Sequence, residues 1–234
     1  MALQDFINFV ILVSMKIKNK EIQVVKIPIQ NFDLEGELAI PKAAKGLIIF
    51  AHGSGSGRHS PRNKFVANIL QKAGIATLLV DLLTEAEDQD YQNRFDIALL
   101  TGRLRDVADW ATNFPATKNL PIGYFGGSTG AAAAMFAAAQ NQDKIKVLIS
   151  RGGRVDLASE IADELKMPTL FIVGGADTGV LELNEKVFAN LTCEKKLVII
   201  PDATHLFEEK GALEQVANEA AAWCSKYFDL RRTL

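Results

Sequence analysis

Along the chain, short runs of apolar residues alternate with longer segments whose apolar positions recur every three or four residues. The first two runs, residues 22–27 and 34–40, alternate apolar with polar side chains. That period predicts two antiparallel strands, joined by a turn at Asn31-Phe32-Asp33. Residues 47–51 (LIIFA) are apolar throughout, which predicts a strand covered on both faces. Ser60-Pro61 then has the form of an N-cap followed by proline at the first helical position. Phe65, Val66, Ile69 and Leu70 give the helix it opens a buried stripe, and Ala73-Gly74 ends it.

The same unit repeats toward the C-terminus. Strands are predicted at residues 76–80, 121–125, 146–149, 169–173 and 197–200, with helices at 94–113, 131–139, 157–165, 181–190 and 212–228. Such alternation implies a parallel sheet with helices on both faces, joined by right-handed crossovers. With the two leading antiparallel strands the sheet has eight strands, and residues 16–234 read as a single α/β domain without a linker. Residues 1–15 stand apart. The run 6–13 (FINFVILV) is too short to span a bilayer, so no stable membrane insertion is expected. It also lacks the basic flank and small-residue cleavage site of a signal peptide. It reads as an appended strand, an interface segment that leaves a homodimer open, or a misassigned start with Met15 as the alternative beginning.

Composition narrows the classes of function. A chain of 234 residues with 48% hydrophobic content is neither disordered nor fibrous. Lys+Arg 26 against Asp+Glu 28 gives a net charge of −2, without the basic surplus that a nucleic-acid partner requires. Cys193 and Cys224 form no CxxC pair, so neither a disulfide framework nor a structural zinc site is expected. A reducing, cytoplasmic compartment fits.

Gly126-Gly127-Ser128-Thr129-Gly130 matches G-x-S-x-G and lies between a predicted strand and an alanine-rich helix. Holding a serine on so sharp a turn requires small residues two before and two after, because neighbouring chain passes close by. The turn places the hydroxyl at a helix N-terminus, where partial positive charge favours a developing anion. The plain alternative is a glycine-rich turn whose serine caps the helix. A serine hydroxyl is a weak nucleophile and needs a base, itself oriented by a third group. Of the three histidines, His205 follows the last predicted strand, and Asp177 follows the one before it. Asp202 also lies near His205 but reads as a loop residue, and Glu208 and Glu209 read as the start of the final helix. The order Ser128, Asp177, His205 is the nucleophile–acid–base order of α/β-hydrolases. All three follow strands expected to be parallel, so their loops share one edge of the sheet.

Acyl transfer also needs backbone N–H groups aimed at the carbonyl oxygen as it gains charge. Thr129 supplies one. The loop 51–58 supplies the other, with Ser54 the first choice and Gly55 the second, while His52 reads as structural. The G-x-G-x-G of that loop is one residue short of a dinucleotide fingerprint, and no GK[ST] follows. Arg58, His59 and Arg62 follow it, and Arg151 and Arg154 follow the sixth strand. Guanidinium forks bind carboxylates, so these residues are candidate contacts for an anionic substrate. The alternative is that they pair with loop acids such as Glu85, Glu87 and Asp88.

The HGSGS loop at 52–56, GGSTG at 126–130, GGADTGV at 174–180 and ATHLFEE at 203–209 together resemble the α/β-hydrolase superfamily, and within it the dienelactone hydrolase-like group. The likeness extends over nearly all of the chain after residue 20. It implies Ser128, Asp177 and His205 as the triad, no cofactor or metal, and a fold without a large cap. Residues 151–167, between the sixth and seventh strands, are too few for an inserted lid domain. Dienelactone hydrolases proper carry cysteine at the nucleophile, where this chain has Ser128. The resemblance therefore implies a serine hydrolase of small ester, lactone or thioester substrates, without fixing lactone specificity. Two alternatives stay open: a binding or regulatory protein with an idle triad, and a lipase or thioesterase for long acyl chains.

Overall fold

Leu47–Ala51 is buried at every position, and its side chains divide between two cores. Leu47, Ile49 and Ala51 pack to one side, Ile48 and Phe50 to the other. This is the two-sided burial that an unbroken apolar run demands. The computed structural model of the protein describes residues 14–17 and 20–229. Within them, β1 (Ser14–Ile17), β2 (Lys20–Ile29), β3 (Phe32–Ala39), β4 (Leu47–Ala51), β5 (Ala76–Val80), β6 (Ile122–Gly127), β7 (Ile145–Arg151), β8 (Thr169–Gly174) and β9 (Lys195–Ile200) form one sheet. Their spatial order is β1-β2-β3-β5-β4-β6-β7-β8-β9. The pairs from β1 through β3 to β5 are antiparallel, and β5, β4 and β6 to β9 run parallel.

Helices cover both faces. α1 (Pro61–Lys72) and α6 (Ala212–Phe228) pack together over one, burying Val66, Leu70, Val216, Ala220 and Phe228. α3 (Ile97–Asn113), α4 (Thr129–Gln140) and α5 (Thr178–Asn190) cover the other, and the short α2 (Glu85–Asp88) follows β5. α4 is buried nearly all round, because it is wedged among the sheet, α3 and the segment Val155–Glu164. Its alanines keep it thin enough to fit there.

The chain leaves β4 toward β5 on one side and returns to β6 on the other. The carboxyl ends of β4 and β6 are therefore the point where the winding reverses. In open α/β sheets that crevice is where ligands bind.

All eight strands read from the sequence are present, and β1 adds a ninth. The run 6–13 lies outside the described residues. Three local readings change. The β2–β3 turn is Gln30-Asn31 rather than 31–33: Ile29 pairs with Phe32, and Gln30 takes a φ of 46° to close the two-residue loop. The helix expected over 94–113 is split, with a 3-10 turn at Tyr91–Phe95 and a break at Asp96. The Asp96 side chain accepts from Leu99 N–H at 2.9 Å, so this residue starts α3 instead of extending through it. Val155–Glu164 is 3-10 rather than α-helical, kinked at Ala158. Among the described residues, no helix is long and apolar enough to cross a membrane.

Replacing Asp96 by alanine removes the α3 cap and should cost about 1 kcal/mol, read as a lower urea midpoint with unchanged m-value. An unchanged midpoint would show that the cap contributes nothing.

Candidate active site

Ser128 sits between β6 and α4 with φ 50° and ψ −125°, a conformation that L-residues other than glycine seldom adopt. Contacts on both sides hold it. A Cβ at Gly126 would lie 2.5 Å from Ala131 Cα, and one at Gly130 would lie 2.3 Å from the carbonyl oxygen of Ala51. The outer glycines of the motif are thus required by close approach of backbone. Ser128 makes no capping bond to its helix, and its hydroxyl has no hydrogen-bond partner among the described residues.

His205 stands in the loop after β9, half-buried, with Nδ1 2.7 Å from Asp177 Oδ2. A carboxylate on that nitrogen assigns it the proton and leaves Nε2 as the acceptor. The two loops are laced together: Ala176 N–H donates to Ala203 O at 3.0 Å, and Gly175 N–H to Ile200 O at 2.8 Å. Phe207, fully buried at a φ of 56°, anchors the histidine loop in the α1/α6 core. The imidazole also lies against the turn after β7, since a Cβ on Gly152 would be 3.5 Å from Cε1 and Nδ1. The preceding carbonyl, Arg151 O, accepts from Ser128 N–H at 3.3 Å. Histidine and serine therefore flank one peptide, although no hydrogen bond joins them here. Asp202 is exposed, and Asp177 alone holds the imidazole. Glu208 and Glu209 lie ahead of α6 rather than within it. They pair instead with Arg62, at 3.5 Å, and Thr204, at 2.6 Å.

The loop after β4 closes over Ser128. A Cβ on Gly53 would lie 2.9 Å from Ser128 Cβ, so only glycine fits there. His52 ties the loop down, as expected of a structural residue. Its Nδ1 donates to Gly53 O at 3.1 Å, and its Nε2 accepts from Leu82 N–H at 3.1 Å. Burial pushes its pKa below the usual histidine value, in keeping with a neutral ring that both donates and accepts. Thr129 N–H, at the first turn of α4, makes no backbone hydrogen bond and remains available to a ligand. Ser54 N–H is already engaged: it donates to Thr129 Oγ1 at 3.1 Å. The amide chosen as the second donor does not stand open. Gly57 of the same loop faces Asp81 Oδ1, a carboxylate where a phosphate cradle would need an anion's place.

The arginines separate clearly. Arg58 is neutralised by Asp81 and Glu35. His59 pairs with Glu37 at 3.0 Å, and Arg154 with Asp156 at 2.8 Å. These pairings remove Arg58 and His59 as free anion contacts. Among the described residues Arg151 has no such partner. It is 9% exposed, and its Nε and Nη1 are buried without a hydrogen bond. Burial, then the neighbouring charge of Arg62, pushes its pKa down to about 10. Its guanidinium fills the space beside Gly127, where a Cβ would meet Nη2 at 2.8 Å.

One feature escaped the sequence. A cleft of about 460 Å³ adjoins the loop after β4, lined by Asp33, Glu35, Asp81, Glu85 and Asp88 together with the neutralised Arg58. These acids come from three separate segments, and only the folded sheet edge gathers them.

A model of the dienelactone hydrolase family matches residues 34–230. The chain belongs to the dienelactone hydrolase family. It has the α/β-hydrolase fold, and no large cap domain is inserted among the described residues. A dienelactone hydrolase from Anabaena variabilis is 48% identical, with a TM-score of 0.86 over 89% of this chain and 98% of that one. Est1E from Butyrivibrio proteoclasticus, 20% identical with a TM-score of 0.77, covers 87% of this chain and 98% of its own and shows the shared fold. Two Mycobacterium tuberculosis proteins named as phosphoribosyl transferases are 49% identical over 207 residues, 88% of this chain. The chain spans 46% of the length of each.

His52 also makes a prediction about pH. Its folded pKa lies below the unfolded value near 6.5, so the unfolded chain binds the proton first as pH falls. Its contribution to stability is complete above about 6.5 and is withdrawn progressively below it. His52→Phe should lose about 1–3 kcal/mol at neutral pH, because Leu82 N–H is left unpaired. It should also show a shallower fall in Tm toward pH 5 than the parent; parallel Tm curves would contradict this account.

Proposed function

We propose that this member of the family is a serine hydrolase that cleaves carboxylic ester, lactone or thioester bonds of small anionic substrates. Ser128 is the nucleophile, His205 the base and Asp177 the group that orients it. The observation that carries this reading is the Asp177–His205 bond of 2.7 Å at the sheet edge that also holds the strained Ser128. Nε2 of His205 takes the hydroxyl proton as Ser128 Oγ bonds the carbonyl carbon, and the carbonyl electron pair moves onto oxygen. Thr129 N–H stabilises that oxyanion. Collapse expels the leaving alkoxide or thiolate, which takes the proton from His205. Water then attacks the acyl carbon and gives a proton to His205, and collapse frees the acid as Ser128 Oγ takes that proton back from His205. Asp177 stabilises the imidazolium throughout without taking its proton.

Arg151 supports the anionic part of the reading. An unpaired guanidinium is costly to bury, and a substrate carboxylate is the partner its geometry suits. Arg62, which adds charge beside it, already pairs with Glu208 at 3.5 Å and does not belong to the same contact. Nor do Arg58 and His59, since their acids already satisfy them. A polar, acid-lined cleft beside the loop after β4 also argues against a long acyl chain. The two free cysteines, one of them fully buried, fit a reducing, cytoplasmic setting.

Ser128→Ala should lower kcat on a p-nitrophenyl ester on the order of a thousandfold or more, and Asp177→Asn should do comparable damage. Retention of activity in either variant would remove the triad. Arg151→Met should raise KM for a carboxylate-bearing ester about tenfold while sparing its neutral analogue, and should raise Tm because an unpaired buried charge is gone. Equal losses on both esters would assign Arg151 no part in anion binding.

A further inference from the structure

The Ser54–Thr129 hydrogen bond changes how charge on the substrate oxygen can be met. In a hole built from two amides, both N–H groups must point at the reacting oxygen. Here the Ser54 N–H points at a side-chain hydroxyl, 3.1 Å away. That hydroxyl belongs to Thr129, the residue directly after the nucleophile, which is 5% exposed. A hydroxyl can accept one hydrogen bond while donating another. No acceptor for the Thr129 hydroxyl proton is present among the described residues, so that proton is free to turn toward a ligand.

Both ends of the bond are held by contacts that leave no slack. Gly53 lies against Ser128 Cβ, and Gly130 lies against the carbonyl oxygens of Ala51 and His52. His52 fixes the loop by bonds on both ring nitrogens. The Ser54 amide and the start of α4 are therefore preorganised against each other, as oxyanion stabilisation requires.

We propose that the side-chain hydroxyl of Thr129 is a further catalytic group, donating to the oxyanion alongside the backbone N–H of the same residue, with Ser54 N–H acting through that hydroxyl. The inference rests on the serine hydrolase reading given above. As Ser128 Oγ bonds the carbonyl carbon, the oxygen gaining charge accepts two hydrogen bonds from one residue. No proton transfers along this path; the proton of Ser128 goes to His205. Ser54 N–H, by donating to Thr129 Oγ1, polarises the hydroxyl and strengthens the bond it gives.

The test is the sign of the change when the hydroxyl is removed. Thr129→Val keeps the branched shape, and Thr129→Ala and Thr129→Ser differ from each other only by the oxygen. With a p-nitrophenyl ester, Val and Ala should lower kcat about a hundredfold with KM changed less than about threefold, and Ser should restore most of the loss. Thermal unfolding of each variant reports whether it is folded, and the Ser–Ala comparison stands even if Val is not. If the hydroxyl merely occupies the hole, removing it frees the Ser54 amide, and both hydroxyl-free variants should match or exceed the parent. That result would overturn the proposal. Failure of the underlying reading looks different: Ser128→Ala would then remain as active as the parent.

Discussion

A serine held at a φ of 50° is the constraint on which the rest of this sheet edge depends. Such a backbone costs about 1–3 kcal/mol and persists only where surrounding structure over-determines it. Here the surroundings are explicit. Gly126 and Gly130 let the start of α4 press against β6 and the end of β4. Ser128 O accepts from both Ala131 N–H and Arg154 N–H at 3.0 Å, which binds the elbow to its helix and to the chain after β7. The turn after β7 then supports the imidazole through Gly152. Relaxing the serine would loosen contacts to β4, β7 and the histidine loop together.

Around that fixed point the charges are sorted by position. On the β3 and β5 side, carboxylates from separate segments line the cleft, and the one arginine among them is matched by two acids. Beside Gly127, an arginine is buried without an acid partner among the described residues. The two regions lie on either side of the same loop after β4. A ligand with one negative end meets repulsion on the first side and an unmet cation on the other. That asymmetry would orient the small anionic substrate proposed above, and no large cap covers the edge among the described residues.

The fold was largely readable because its signals are local. Apolar runs, the Ser60-Pro61 start of α1, confirmed by the Ser60 hydroxyl accepting from Asn63 N–H, and the glycines of the elbow each act within a few residues. Boundaries failed where a polar side chain competed with the helix, as at Asp96, and where a two-residue turn displaced a three-residue one at Gln30-Asn31. The convergence of residues 128, 177 and 205 on one edge could be argued from parallel strands alone. What the sequence could not supply was pairing. Arg58 and Arg151 look alike as letters, yet one meets Asp81 and Glu35 while the other meets no acid among the described residues. Likewise, the amide of Ser54 is a good oxyanion donor by position, and only the fold reveals that Thr129 Oγ1 already receives it.

The most direct test of the central claim is the site and completeness of covalent modification by a fluorophosphonate, read by intact mass and peptide mapping. An activated serine should form a single adduct on Ser128, and His205→Ala or Asp177→Asn should slow its formation by orders of magnitude. A protein that takes up no label, or takes it at another residue at the same rate in all three forms, would contradict the account.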